Sequence, residues 1–249
     1  MTKHILVAGK LHPSALRVLD SAEGVSFDYV PDADPTAYLP LLPKAQGLVL
    51  RTQALSAADI ATAPNLQIVS RHGVGYDAVD VPALTKRGIP LAIVGDVNSR
   101  TVAEHAILLM MAVGRKLVET DGALDFAALE ALGYKPAKFH PDHVAGANWA
   151  RVHGLKSLQG ATLGALGLGE VGREVATRAH AMGMEVLYYQ RTRLPADIED
   201  ACAARYVSYE ELLENSDFIS VHLPLNALTE GMVDTASFAR MKPGAIIAN

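Results

Sequence analysis

Gly167-Leu168-Gly169-Glu170-Val171-Gly172 has the residue types and spacing to hold a phosphate. This G-x-G-x-x-G follows an apolar run, Ala161–Leu166, and opens a helix-like stretch, Val171–Met182, which is the context the motif needs. The first glycine permits a tight turn, the second lets the backbone approach a pyrophosphate, and the third lets helix pack on strand. The N–H groups at the helix start then face the anion. A plain glycine-rich turn is the competing account, and the flanking elements favour the cradle. About 20 residues on, dinucleotide-binding folds place an acid on the ribose hydroxyls. Here the segment reads Val186-Leu187-Tyr188-Tyr189-Gln190-Arg191-Thr192-Arg193, with no acid. Gln190, Arg191 and Thr192 occupy the place. A carboxylate repels a 2′-phosphate, whereas Gln with Arg accepts it. NADP is therefore favoured over NAD. If Arg191 and Arg193 are solvated loop charges, NAD binds through Gln190 instead.

The elements that must position this loop alternate between strand and helix. In the first hundred residues the expected strands are Ile5–Ala8, Val25–Val30, Leu48–Leu50, Gln67–Ser70 and Leu91–Val94. Between them lie helical stretches Pro13–Ala22, Pro35–Ala45 (interrupted by Pro40 and Pro43), Ala57–Ala63 and Val81–Arg87, the last capped by Asp80 with Pro82 in its first turn. Thr101-Val-Ala-Glu104 reads as a capping box opening a helix to about Lys116. Ala106–Val113 is apolar on every face, so that helix is expected buried between two layers. Residues 119–158 read as an irregular insertion holding the only tryptophan, Trp149. The second wound unit has expected strands Ala161–Leu166, Glu185–Tyr189, Arg205–Val207, Phe218–His222 and Ala245–Ala248, with helices Val171–Met182, Tyr209–Glu214 and Thr235–Arg240. This alternation predicts an α/β protein with two doubly wound parallel sheets, divided as residues 1–100 and 101–249.

The 249 residues are 50% hydrophobic and 20% charged, a globular composition long enough for two cores. A net charge of −5 argues against a generally basic nucleic-acid binder. Cys202 is the only cysteine, which excludes an intrachain disulfide and a cysteine metal cluster. No metal is expected. Phe139-His140-Pro141-Asp142-His143 holds ligand-type side chains, but a polar surface loop is the default. The apolar core of the first ten residues is too short for a signal peptide, and Ala106–Val113 is too short to span a bilayer. The expected location is the cytoplasm, away from membranes.

Several stretches together resemble the D-isomer-specific 2-hydroxyacid dehydrogenases, the group that includes glyoxylate/hydroxypyruvate reductases and phosphoglycerate dehydrogenase. They are Arg71–Asp80, Asn98 with Thr101–His105, Gly160–Gly183, His222–Leu225 with Thr229, and Met241–Asn249, in the family's order. The resemblance implies a flavodoxin-like substrate domain, a Rossmann nucleotide domain and hydride transfer between a nicotinamide and a small 2-hydroxy or 2-oxo acid. It implies that Gly73, Val74 and Gly75 present backbone N–H groups to the substrate carboxylate, as an anion nest does. Arg51 is a second candidate for that carboxylate. Thr101, His222, Leu223, Pro224 and Thr229 are implied near the cofactor, although Thr101 also serves as a cap and Pro224 as a strand terminator.

The family's catalytic arginine, carboxylate and histidine fall beyond Asn249, so no catalytic residue is assigned here. His72, His105 and His222 are not put in their place. The Rossmann sheet is accordingly expected to lack its last strands, and a longer enzyme is expected. The resemblance also implies a homodimer built around the nucleotide domain. Two other readings remain: a non-catalytic dinucleotide-binding module, and a formate- or phosphonate-type dehydrogenase on the same fold.

Overall fold

A computed structural model describes residues 2–32, 34–123, 125–131, 133 and 152–249. The chain divides into two compact units, one of Met1–Val97 with Pro224–Asn226 and one of Asn98–Leu223 with Ala227–Asn249.

The first unit runs β1 (Lys3–Ala8), α1 (Pro13–Asp20), β2 (Val25–Val30), α2 (Pro35–Tyr38), β3 (Gly47–Leu50), α3 (Ala57–Ala61), β4 (Ile68–Arg71), α4 (Val81–Lys86) and β5 (Leu91–Ile93). The strands pair in parallel in the order β2-β1-β3-β4-β5, the flavodoxin-like arrangement. The helical stretch over 35–45, expected to be interrupted by Pro40 and Pro43, consists of α2 and a 3₁₀ segment, Leu39–Lys44. Pro40 and Pro43 lack the N–H groups an α-helix needs there. The core joins Leu6 and Ala8 of β1, Leu48 and Leu50 of β3 and Val69 of β4 to Ile60 and Leu84 of the helices.

The second unit runs α5 (Ser99–Gly114), α6 (Leu117–Ala123), α7 (Phe126–Ala131), β6 (Thr162–Leu166), α8 (Glu170–Ala181), β7 (Glu185–Tyr189), α9 (Ala196–Cys202), β8 (Ala204–Tyr206), α10 (Tyr209–Asn215), β9 (Phe218–Val221), α11 (Thr235–Arg240) and β10 (Ile246–Ala248). Its parallel sheet has the order β10-β9-β6-β7-β8, with the direction of winding reversing between β6 and β9. That reversal is the Rossmann switch point. Ala103, Ile107 and Met110 of α5 pack with Val175, Ala176 and Ala179 of α8 over Leu163 and Ala165 of β6. Leu212 and Leu213 of α10 pack with Leu166, Leu187 and Ile219. Burying each valine, leucine, isoleucine or methionine among these contributes about 1.5–3 kcal/mol before chain entropy is subtracted.

Four expectations change. Helix α5 begins at Ser99 with Asn98 at its cap position, so Thr101 lies inside the first turn and caps nothing. The helix is also not buried all round: Val102, Leu108, Leu109, Met111 and Val113 are exposed, and so is His105. A uniformly apolar sequence does not reveal which stripe meets the sheet. Residues 119–158 are not wholly irregular, because α6 and α7 occupy their start. Helix α9 was not anticipated: its four first residues, Ala196-Asp-Ile-Glu199, bury a glutamate and carry no apolar stripe. Trp149 and the stretch Phe139–His143 lie outside the described residues.

Candidate functional site

In the second unit the phosphate-type loop leaves β6 at the switch point. Gly167 adopts φ +94°, and a Cβ there would stand 2.8 Å from the His222 carbonyl oxygen. Only glycine takes that backbone conformation without strain and fits beneath the end of β9. Gly169 is the cap residue of α8 with no side-chain cap, so its first-turn N–H groups lack the partner a serine or aspartate supplies. A Cβ on Gly169 would meet nothing within 4 Å. The approach to those N–H groups is therefore open. Gly172 is the opposite case: a Cβ there would overlap the Gly167 carbonyl oxygen and stand 3.0 Å from its carbon. That glycine lets α8 lie directly on the loop. The three glycines thus divide as the motif predicts: a turn, an open approach and a tight contact.

Helix α8 is fixed against α5 by more than apolar packing. Arg178 pairs with Glu174 one turn earlier and reaches Glu104 of α5 at 3.9 Å, while Arg100 lies 3.6 Å from Glu174. Ion pairing with both arginines holds the Glu174 carboxyl below its ordinary range.

Gln190 bridges the glycine loop to the end of β7. Its Oε1 accepts the Leu168 N–H at 3.1 Å, and its Nε2 donates to the Thr192 carbonyl at 2.7 Å. One lone pair and one N–H remain for a ligand. The Leu168 side chain is buried in the core, and its N–H is committed to Gln190. Glu170, Arg191, Thr192, Thr101 and Pro224 are exposed, and Val171, Leu223 and Thr229 are half-buried. Arg193 is drawn the other way. Its guanidinium makes paired hydrogen bonds to Glu199 at 2.9 and 2.7 Å, and Glu199 also accepts from Tyr188 Oη at 2.6 Å. These partners pull the Glu199 carboxyl down to about 2, and burial with the bond to Glu199 pushes the Tyr188 hydroxyl up to about 12. Sequence reasoning missed this cluster because Glu199 sits in the unanticipated helix. Pro195 followed by acids in the first turn was the available signal.

His222 joins β9 to the loop. Its N–H donates to the Leu166 carbonyl at 2.8 Å, and its Nε2 lies 2.7 Å from Ser220 Oγ. Burial pushes its pKa down to about 4, so the ring is neutral at pH 7. The structure thus brings Gly167, Leu168, Gly169, Gly172, Gln190 and His222 together around one turn. It places Arg191 and Thr101 on the surface of the same unit without a bond to that turn among the described residues, whereas exposed Thr192 meets it through the Gln190 Nε2 bond to its carbonyl.

In the first unit, β4 ends in Arg71 and runs into His72–Gly75. The Gly73 N–H donates to the Arg71 carbonyl at 2.9 Å and its carbonyl accepts from Val94 at 3.2 Å, fixing the turn. The N–H groups of Val74 and Gly75 donate to nothing among the described residues. Two successive free N–H groups are what an anion nest offers. The loop after β3, carrying exposed Arg51, is tied to the loop after β4 by the Leu55 N–H to Ala78 and the Asp80 N–H to Leu55, at 2.8 and 2.9 Å. Among the described residues, no group of three or more His, Cys, Asp or Glu side chains could hold a metal ion.

A model of the D-isomer specific 2-hydroxyacid dehydrogenase NAD-binding domain matches residues 132–249. The chain is 35% identical over 246 residues to D-3-phosphoglycerate dehydrogenase of Mycobacterium leprae, covering 98% of this chain and 42% of that protein. It is 37% identical over 204 residues to glyoxylate reductase of Thermococcus litoralis, covering 81% of this chain and 57% of that protein. The chain belongs to the D-isomer-specific 2-hydroxyacid dehydrogenase family. The crystal structure of a glyoxylate reductase from Paecilomyes thermophila superposes with a TM-score of 0.77 at 29% identity, covering 99% of this chain and 72% of that one. The chain spans about half the length of the curated relatives it matches. No helix among the described residues is long and apolar enough to cross a membrane.

Proposed function

We propose that this chain binds a nicotinamide dinucleotide and a small 2-oxo or 2-hydroxy acid for hydride transfer between them. The observation that carries the reading is the loop at the β6–β9 switch point. It has free N–H groups at the start of α8, open space at Gly169 and a tight contact at Gly172. The residues present fit the cofactor family membership implies: Gly169, Glu170, Val171 and Gly172 hold the pyrophosphate by backbone, and Gln190, Arg191 and Thr192 face the adenosine ribose. Thr101, Leu223, Pro224 and Thr229 lie toward the nicotinamide on this reading. The bound cofactor supplies or accepts the hydride. The chain's own work is to hold it at the switch point and to hold the substrate carboxylate on the Val74 and Gly75 N–H groups, with Arg51 adding charge. The first unit is then the substrate domain and the second the nucleotide domain.

The 2′-phosphorylated cofactor is preferred. Arg191 makes no ion pair among the described residues, and no acid stands at the end of β7. Titration of the folded chain with NADPH and NADH tests both statements. NADPH should bind more tightly, and Arg191→Met should weaken NADPH by about tenfold, the loss of one charge-assisted contact, with NADH unchanged. A folded chain that binds neither dinucleotide refutes the reading.

The exposed face of α5 with Val102, Leu108, Leu109, Met111 and Val113 is proposed to meet a second copy in a cytoplasmic homodimer. Leu109→Lys should halve the mass in light scattering, and an unchanged mass refutes it.

A further inference from the structure

Among the described residues, two buried side-chain atoms capable of hydrogen bonding have no partner: Gln53 Nε2 and Arg71 Nε. Both are donors, and both lie in the first unit. In a folded protein such orphans are rare and mark a missing ligand, water or ion. Their positions are related. Leu50, at the end of β3, pairs in register with Arg71, at the end of β4, so Arg51–Gln53 and Arg71–Gly75 leave neighbouring strands at the same sheet edge. The carboxyl edge is where open α/β sheets bind ligands.

Arg71 is unusual in how little of its guanidinium is used. It has five N–H donors. Nη1 donates to the His72 carbonyl at 3.0 Å, and Nε and Nη2 make no bond among the described residues. No carboxylate pairs with it among the described residues. The group is half-buried and lies against the glycine turn: a Cβ on Gly73 would stand 2.9 Å from Nη1 and 3.4 Å from Nη2. The cation therefore lies against Gly73, the residue that precedes the free Val74 and Gly75 N–H groups. A partly desolvated charge without a counterion is costly, and an anion arriving at the turn relieves that cost. Asp77 Oδ2 lies 3.4 Å from where a Gly75 Cβ would stand, and Asp77 is exposed.

Gln53 serves the second loop. Its Oε1 accepts the N–H groups of both Arg51 and Thr52 at 3.0 Å. The side chain is 5% exposed, and its free Nε2 lies 2.6 Å from where a Gly9 Cβ would stand. That fork fixes the backbone from which Arg51 projects.

We propose that Arg71 is a further ligand of the substrate carboxylate, acting through its unspent donors from beside Gly73, with Gln53 positioning the Arg51 loop. This rests on the reading of that turn as the carboxylate cradle. The ligand class is a 2-oxo or 2-hydroxy carboxylate.

The test uses the full chain and oxamate, an unreactive 2-oxo carboxylate, titrated by calorimetry alongside NADPH. Wild type binds both. Arg71→Gln weakens oxamate about 10- to 100-fold, the range for one or two charge-assisted bonds, and leaves NADPH unchanged. Arg71→Lys recovers part of the loss, because it restores charge without the planar fork. In wild type, the ¹⁵Nε resonance of Arg71 shifts when oxamate is added, a readout that needs no variant to fold. Oxamate binding unchanged in Arg71→Gln, or an unmoved Arg71 resonance at saturation, overturns this inference alone. A wild type that binds NADPH but not oxamate overturns the carboxylate-cradle reading and the inference with it.

Discussion

Gly169 and Gly172 stand three residues apart in one loop, and the structure assigns them opposite sensitivities to the same methyl group. A Cβ on Gly172 overlaps the Gly167 carbonyl oxygen and comes to 3.0 Å of its carbon, where carbon contacts prefer about 3.5–4.0 Å. Both atoms are backbone, so relief requires α8 to move away from the turn by several tenths of an ångström at least. Overpacking of this kind costs about 1–3 kcal/mol. At roughly 2–4 °C per kcal/mol for a chain of this size, Gly172→Ala should lower Tm by about 2–12 °C. Gly169 has φ −74°, which alanine adopts freely, and open space where its Cβ would go. Gly169→Ala should cost only the few tenths of a kcal/mol to about 1 kcal/mol that separate glycine from alanine at a helix cap. Its Tm should fall by no more than about 4 °C. Yet the methyl occupies the path to the α8 N–H groups, and NADPH affinity should drop at least about tenfold, a loss of 1.4 kcal/mol. Thermal melts and calorimetric titration read the two quantities separately. A Gly169→Ala chain that is stable and binds NADPH like wild type would refute the claim that this backbone is where the pyrophosphate lies.

Two pH effects follow from buried partners. His222 is held neutral, its pKa pushed by burial from 6.5 to about 4, so the unfolded chain takes up a proton before the folded one does. Stability should fall as pH drops from 6.5 towards 4, by about 3 kcal/mol at most, and His222→Asn should flatten that part of a urea-denaturation series. An identical slope in the variant would assign the loss elsewhere. Glu199, held at about 2 by Arg193 and Tyr188, contributes stability above its ordinary 4.5 that disappears as pH falls from there through 2. Glu199→Gln should be less stable at pH 7 and lose less over that acid window.

What the sequence made legible was local. The glycine loop could be read because its chemistry, strand, turn and helix are contiguous over 162–181. Strand β7 carries the next signal, and its run Glu185–Tyr189 is apolar enough on both faces to be found as a buried parallel strand. Helix α9 was illegible because beside Cys202 it buries Glu199, and only the partners Arg193 and Tyr188 make that burial tolerable. The exposure of α5 was misread for a complementary reason. Its residues Ala106–Val113 are apolar all round, and which side chains face α8 depends on the docking of two helices more than fifty residues apart in sequence. The orphaned Nε of Arg71 has no sequence signature either. An arginine beside a glycine turn looks like any other until the absence of a counterion is visible in three dimensions.

The loop after β7 shows why counting arginines there misjudges the proposed cofactor preference. Arg191 and Arg193 are equivalent as text, but Glu199 has claimed Arg193 with two bonds, and the Arg193 guanidinium lies 5.9 Å from the centre of the Tyr206 ring. A 2′-phosphate would have to compete with a carboxylate already in place, at no net gain in paired charge. The same contacts fix the backbone around Arg191: Gln190 Nε2 donates to the Thr192 carbonyl, Tyr206 Oη to the Gln190 carbonyl, and the Leu194 N–H to Tyr188 Oη, at 2.7, 3.3 and 2.9 Å. Arg193 spends its charge on holding the loop, and Arg191 keeps its own. Arg193→Met should therefore lower Tm while leaving the ratio of NADPH to NADH affinities near wild type, whereas Arg191→Met should collapse that ratio at unchanged Tm. Exchange of those two outcomes would mean that Glu199 yields its arginine to the ligand, and the clamp would then be a part of the binding site.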